Sequence, residues 1–402
     1  MRSALKILVV LALLLVVAAC YFRKQDQVSV ADGKGWDGVA YHKMYLHYKG
    51  AHSEPSYEAP FNKRIGLPWL AAQSPLEPAT AFRMINIFSG LAACMFTYFA
   101  LRPRFGGGVV LACMLPMAFF IFSPIRFPNF YPFTVDPPAM MLCALATLLF
   151  SRKHFIAAGV VLVASALFRE SGIYFALALG AALAFSDRRN RRAAFIICLV
   201  AVVGAVITTM LHLPGGEYSQ FRTVLSSIRH KILDPLGLLR ATVCIFMTLA
   251  PFLICKSRAI SAPPAEVDEL RMIGRTFLLL CIVMALLGGS DTTRIFFIGY
   301  PLYALLLADW IDGADALTVV LAFSAGMVAN RFCEMIPQPS ATSPSHDVSG
   351  LFSITPDYAH PGVVAAFAAF WFSCWILLAG PARPLVDRLG CLVSRKASCT
   401  SR

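Results

Sequence analysis

The feature that most constrains this chain is a succession of apolar runs separated by short polar stretches. A hydrocarbon core of about 30 Å needs about 20 apolar residues per helical crossing, so such runs can be counted as spans. Twelve are read, near 5–22, 84–101, 107–123, 136–151, 155–168, 172–186, 193–211, 241–255, 276–288, 295–309, 317–330 and 363–380. Lipid offers the backbone no hydrogen-bond partner, so spans of this length fold as helices. The expectation is an all-α, polytopic transmembrane helix bundle of about 12 spans, one membrane domain over residues 1–402. Composition agrees: 58% of residues are hydrophobic and 14% charged, which excludes an ordinary soluble domain.

The formal net charge is +13, but the basic residues fall in clusters between apolar runs, which argues against a nucleic-acid partner. Arg102 to Arg104, Arg152 to Lys153, Arg188 to Arg192 and the tail from Arg383 follow even-numbered spans. The positive-inside rule then places both termini in the cytoplasm. Most of the 12 cysteines, such as Cys94, Cys113, Cys143, Cys198, Cys244, Cys281 and Cys374, lie within apolar runs and read as small hydrophobes. Met1 to Cys20 also has the pattern of a lipoprotein signal; an uncleaved first helix is the preferred reading.

The loops assigned to the outer side are long: 23–83, 212–240 and 331–362. The first carries Trp36, Tyr41, Tyr45, Tyr48, Tyr57, Phe61 and Trp69, a density of aromatics suited to the headgroup interface. Within it, Val39 to Tyr48 reads as an amphipathic helix and Ile65 to Ala72 as a short embedded segment.

Charged residues near the membrane need a reason, and those on the outer side form a series. Asp32 and Asp37 lie among Gly33, Gly35 and Gly38 in ADGKGWDGVAY; they suit a divalent cation or a general base, and equally a solvated turn. Lys63 and Arg64 precede the embedded segment and suit an anionic headgroup or a lipid-linked phosphate. Arg126 and Asp136 lie in the proline-rich loop SPIRFPNFYPFTVDPP. Arg169 and Glu170 occupy the tip between two short runs, where a structural ion pair is the competing account. Asp291 and Arg294, three apart, share a helix face, with Asp291 equally suited to capping that helix. The stretch from His212 to His230 is the least specific.

In this order the motifs resemble the GT-C superfamily of polytopic glycosyltransferases, which use polyprenyl-phosphate-linked sugars; the likeness runs through WDGVAY, PFNKRIGLPWLAA, FRES and GGSDTTR. The resemblance implies transfer of a sugar from a lipid-phosphate donor to an acceptor at the extracytoplasmic face of a bacterial inner membrane. It implies Asp37, or else Asp32, as the catalytic carboxylate, with a divalent cation held by these two if any metal is used. Lys63, Arg64, Arg126, Arg169, Glu170, Asp291 and Arg294 would then bind substrate, and the partners would be the lipid-linked donor and membrane lipids. Many members carry adjacent acidic residues, whereas here they are five apart. A membrane transporter or lipid flippase is the alternative.

Overall fold

The computed structural model describes residues 2–51, 56–186, 188–215, 220–233, 235–255, 265–287, 292–330 and 336. The described chain is all-helical and has no strands. Its helices are α1 Arg2–Lys24, α2 Gly38–Tyr48, α3 Gly66–Ala72, α4 Pro78–Leu101, α5 Gly107–Phe119, α6 Phe127–Phe130, α7 Asp136–Ser151 and α8 Phe155–Ser165. They continue as α9 Ser171–Ser186, α10 Arg191–Met210, α11 Gln220–Ser227, α12 Pro235–Cys255, α13 Ala265–Leu287, α14 Thr292–Ile298, α15 Tyr300–Asp312 and α16 Ala316–Ala329. The run at 363–380, Cys374, Asp291 and all of loop 331–362 except Ile336 lie outside the described residues.

Local chemistry sets several boundaries. Glu77 caps α4: its carboxylate accepts from Ala79 N at 3.1 Å and Thr80 N at 3.0 Å, with Pro78 at the first helical position. Pro137 and Pro138 fill the first turn of α7, where their missing N–H groups cost nothing. The run expected to form one helix over 295–309 is divided at Gly299 into α14 and α15. Pro301 follows in the first turn of α15, and a Cβ at Gly299 would lie 2.2 Å from Cys281 Sγ, so the break lets the backbone close on α13. The runs at 107–123 and 155–168 also end early, at Phe119 and Ser165, and their last residues enter loops.

The helices pack in a bundle. Helix α4 lies along α7; α8, α9 and α10 pack on one another; α13 packs on α15 and α12 on α16. The centre is aromatic, with Phe120, Phe150, Phe175, Phe252, Phe277, Tyr300 and Tyr303 fully buried. Cys94, Cys113, Cys143 and Cys281 are free and buried in this packing, and Cys198 is half-buried. By length and composition, three helical segments among the described residues suffice to cross a membrane: Pro78–Leu101, Arg191–Met210 and Glu269–Leu287. Several others are apolar but shorter, so the described helices fall on the expected runs up to residue 330 without each having the length of a span.

Helix α10 shows what the outside of the bundle is made of. Phe195, Leu199, Val202, Val206 and Met210 recur at helical spacing and are all exposed, Met210 by 78%. A continuous apolar stripe of this kind is unfavourable in water and suited to hydrocarbon. Charge pairing among the described residues gathers in two groups. Near the start of α13, Arg271 binds both carboxylate oxygens of Asp309 at 2.7 and 2.9 Å, and Asn190 donates to Glu269. The second group is a cluster that includes Arg294 of α14, the short helix that packs against α13.

Candidate functional site

Helix α2 presents its first residues to this cluster. Asp37 precedes α2, and its side chain is only 10% exposed. Asp37 Oδ1 accepts a hydrogen bond of 2.5 Å from the Tyr131 hydroxyl. Asp37 Oδ2 accepts from Arg294 Nη2 at 3.3 Å. The glycines around Asp37 make this possible: a Cβ at Gly35 would lie 2.3 Å from the Tyr131 ring, and one at Gly38 would lie 2.8 Å from Phe133 Cβ. Gly35 also has φ +74°, a conformation that other residues adopt only under strain. Gly35 and Gly38, on either side of Trp36 and Asp37, thus admit an aromatic side chain to the carboxylate.

Tyr131 and its neighbours belong to the proline-rich loop between α5 and α7, which Asn86 of α4 pins by donating to Pro132 O and Thr134 O, each at 2.8 Å. The loop ends in Asp136, which accepts from Arg169 Nη1 on one oxygen and from Arg294 Nε on the other. Thr134 Oγ1 also donates to Asp136 Oδ2 at 3.1 Å. The Arg294 guanidinium therefore bridges Asp37 and Asp136. It also stands 5.7 and 5.8 Å from the ring centres of Tyr131 and Phe127, within range of a cation–π attraction.

One turn along α2 from Asp37, the Tyr41 hydroxyl accepts from Arg64 Nη1 at 2.9 Å. The Nε–Nη2 edge of Arg64 grips Glu170: Nε donates to Oε2 at 2.8 Å and Nη2 to Oε1 at 2.7 Å. This is a bidentate fork, the strongest form of the pair. Arg169 and Glu170, adjacent in the chain, do not pair with each other; each binds an opposite charge on another element. Main-chain contact fixes the arrangement, since Gly66 N donates to Leu167 O at 2.8 Å.

The structure therefore brings together Asp37, Arg64, Arg169, Glu170 and Arg294, and adds Asp136, Tyr41 and Tyr131. Of the other expected residues, Asp291 lies outside the described residues, and Asp32, Lys63 and Arg126 are not brought in. The Asp32 side chain is 97% exposed, with Lys34 Nζ 3.9 Å away. Lys63 ends a short turn and is half-exposed. Arg126 is fully buried elsewhere, donating to Phe119 O at 3.0 Å and Asn330 O at 2.6 Å. Of the stretch from His212 to His230, Leu213 N donates to Asn62 O and Pro214 O accepts from Tyr57 N, residues 216–219 lie outside the described residues, and residues from Gln220 on form α11 and the helical turn after it.

Three carboxylates and three guanidinium groups balance. Burial works to raise the Asp37 carboxyl, but Arg294 and the Tyr131 hydrogen bond outweigh it and hold the group below the usual carboxylate range. Glu170 is likewise pushed up by burial and drawn down further by Arg64, to about 2. Burial and the neighbouring Asp37 carboxylate raise Tyr131, which keeps its proton and remains a donor.

A divalent cation fits this donor set poorly. Asp37 already faces the Arg294 and Arg64 charges, and Asp32 is on an exposed turn. Among the described residues no three His, Cys, Asp or Glu side chains are grouped to hold a metal. The guanidinium groups are the natural partners of an anion, and each is satisfied by a carboxylate of the cluster.

The fold and the site together define a helical protein with apolar faces suited to a bilayer and a buried arginine–carboxylate cluster at one end. No protein-family model, no curated protein and no solved structure matches this chain.

Two cavities lie along helices that adjoin the cluster in sequence. One of about 430 Å³ lies along α2 and is lined by Val39, Ala40, Lys43, Tyr57 and Glu58 among others. The second, about 420 Å³, is an apolar groove between α9 and α10.

Tyr41, Tyr131, Thr134 and Asn86 were not among the expected site residues, and Asp136, singled out with Arg126 in its loop, was given no role of its own. For Asn86, inside an apolar run, the only signal was a lone amide with no partner nearby in sequence.

Proposed function

We propose that this protein is a membrane glycosyltransferase that moves a sugar from a polyprenyl-phosphate-linked donor to an acceptor hydroxyl at the extracytoplasmic face. In this reading the chain crosses a bacterial inner membrane about twelve times, with both termini in the cytoplasm. The observation that carries it is Asp37: a carboxylate kept ionised in a nearly closed setting, one helix turn from Tyr41 and Arg64 and directly joined to Arg294.

Each carboxylate oxygen of Asp37 keeps a second lone pair beside the bond it already accepts. Asp37 takes the proton from the acceptor hydroxyl as its oxygen attacks the anomeric carbon. The bond from that carbon to the phosphate oxygen breaks on the opposite face, which inverts the centre. Negative charge grows on the departing lipid phosphate, and Arg64, Arg169 and Arg294 are placed to stabilise it. No metal is assigned to Asp37.

The test is to purify the protein and assay sugar transfer from polyprenyl-phosphate sugars. General-base removal costs about 10²- to 10⁴-fold, so Asp37→Asn should lower turnover by that range while the protein remains folded. Full activity of this variant refutes the assigned base. Substrate exchange across liposomes with no covalent product would instead point to a transporter.

A further inference from the structure

The fork of Arg64 is occupied, yet its occupant is the most accessible carboxylate of the cluster. The Glu170 side chain is 34% exposed against 8% for Arg64, and Asp37 and Asp136 are 10% and 7%. Glu170 belongs to the turn joining α8 to α9. That turn leads directly to the apolar groove: Ile173, whose N–H donates to Glu170 O at 3.2 Å, is the groove's first lining residue. From there it passes Leu177 on α9 and Ala201, Val202, Ala205, Val206, Thr209 and Met210 on α10. Residues 201 to 210 extend about 14 Å along the helix.

We infer that Glu170 holds the place of a phosphate on Arg64, and that the groove between α9 and α10 takes the hydrocarbon chain of the single-chain lipid bearing that phosphate. This rests on the lipid-phosphate donor proposed above and names the site of its head and chain.

Carboxylate and phosphate both match the two parallel N–H bonds of a guanidinium. One can replace the other on Nε and Nη2 while Nη1 stays on Tyr41. The net charge of the cluster explains why exchange is needed: with three acids on three arginines, an added anion finds no uncompensated cation until an acid leaves. Glu170 is the acid with an open side to turn toward. The groove is a single open apolar track of about 420 Å³ between two helices, a shape that follows one chain more closely than a pair; an enclosed cavity of about 150 Å³ holds benzene.

The experiment measures binding to the full chain in detergent micelles, with farnesyl phosphate as the probe and with farnesol, inorganic phosphate and dioleoyl phosphatidate as the other arms. Removing the competing charge with Glu170→Gln should tighten farnesyl phosphate about tenfold, because the fraction of protein with Arg64 available rises. Farnesol should be indifferent to that change, and phosphatidate should gain little. Ala205→Trp, which fills the groove, should weaken farnesyl phosphate while leaving inorganic phosphate unchanged.

Equal or weaker binding by Glu170→Gln with an intact melting profile overturns the inference, as does an equal gain for phosphatidate or indifference to Ala205→Trp. If Glu170→Gln does not fold, Glu170→Asp is the second variant. Its stem is one methylene shorter and loosens the fork while keeping the charge, so a smaller gain in the same direction is expected, and no gain overturns the inference. Tight farnesyl phosphate binding without any sugar transfer would leave this site standing and defeat the proposed reaction. Transfer activity with Glu170→Gln binding unchanged would do the reverse.

Discussion

Tyr131 shows how much one hydroxyl can decide at this site. Its hydrogen bond favours the charged form of Asp37, so Tyr131→Phe removes a contact that holds that carboxyl down. The acidic limb of a pH–rate profile should then move to higher pH, with turnover at neutral pH changed far less than by Asp37→Asn; an unmoved limb would show that the hydroxyl does not tune the base. The glycines next to Asp37 act through the same contact. Gly35→Ala places a methyl 2.3 Å from the Tyr131 ring on a backbone at φ +74°. Strain at such positions costs on the order of 1–3 kcal/mol, so the melting temperature should fall and activity with it. Gly50, at φ +68° but with open space around it, tests the steric part: Gly50→Ala carries the backbone strain without the clash. It should lower stability less and leave activity unchanged.

At the scale of elements, the cluster is a set of staples between segments distant in sequence. Arg294 ties α14 to the start of α2 and to the start of α7, and Arg64 ties the segment before α3 to the turn between α8 and α9. The Arg64–Glu170 tie has a pH signature. The folded Glu170 carboxyl titrates at about 2, well below its unfolded range of about 4.3. Its contribution is therefore complete above that unfolded value and is lost as pH falls toward the folded one. Thermal melts of the protein between pH 7 and pH 3 should show stability falling below about pH 4.5. Glu170→Gln should remove part of that fall; because the group is a third exposed, the share is reduced by solvent screening. A variant with the same acid slope as the unaltered protein would contradict this account.

On the scale of the whole molecule, the bundle has an apolar exterior along α10 and, among the described residues, charge pairs gathered in two groups. If that stripe faces lipid, a charge on it should cost about 2.5–3.5 kcal/mol of insertion at mid-helix. Leu199→Asp, 52% exposed at present and outside the groove, should lower the inserted fraction in a membrane-integration assay. Cys198→Ser, beside it on the half-buried face, should not. Equal insertion of Leu199→Asp and the unaltered chain would mean that α10 meets water or protein instead.

Apolar runs and their helical character were legible from composition and spacing, because a helix satisfies its own backbone and needs only a local stretch of sequence to do so. The same local logic marked the glycine-flanked Asp37, the basic Arg64, the Arg169–Glu170 tip and Arg294 as residues in need of partners. It could not say which partners. Arg169 and Glu170 are neighbours in the chain, yet one reaches Asp136 and the other Arg64, while Asp32, five residues from Asp37, remains in solvent. Pairing of charges depends on which helix ends meet after packing, and that is set by contacts among side chains far apart in sequence, such as Asn86 holding the loop that carries Tyr131 and Asp136. Sequence thus determined that this chain forms apolar helices with charges between them; only the tertiary structure decided that six of those charges close on one another at a single end of the bundle, since Coulomb attraction of this kind acts over a few ångströms and is blind to distance along the chain.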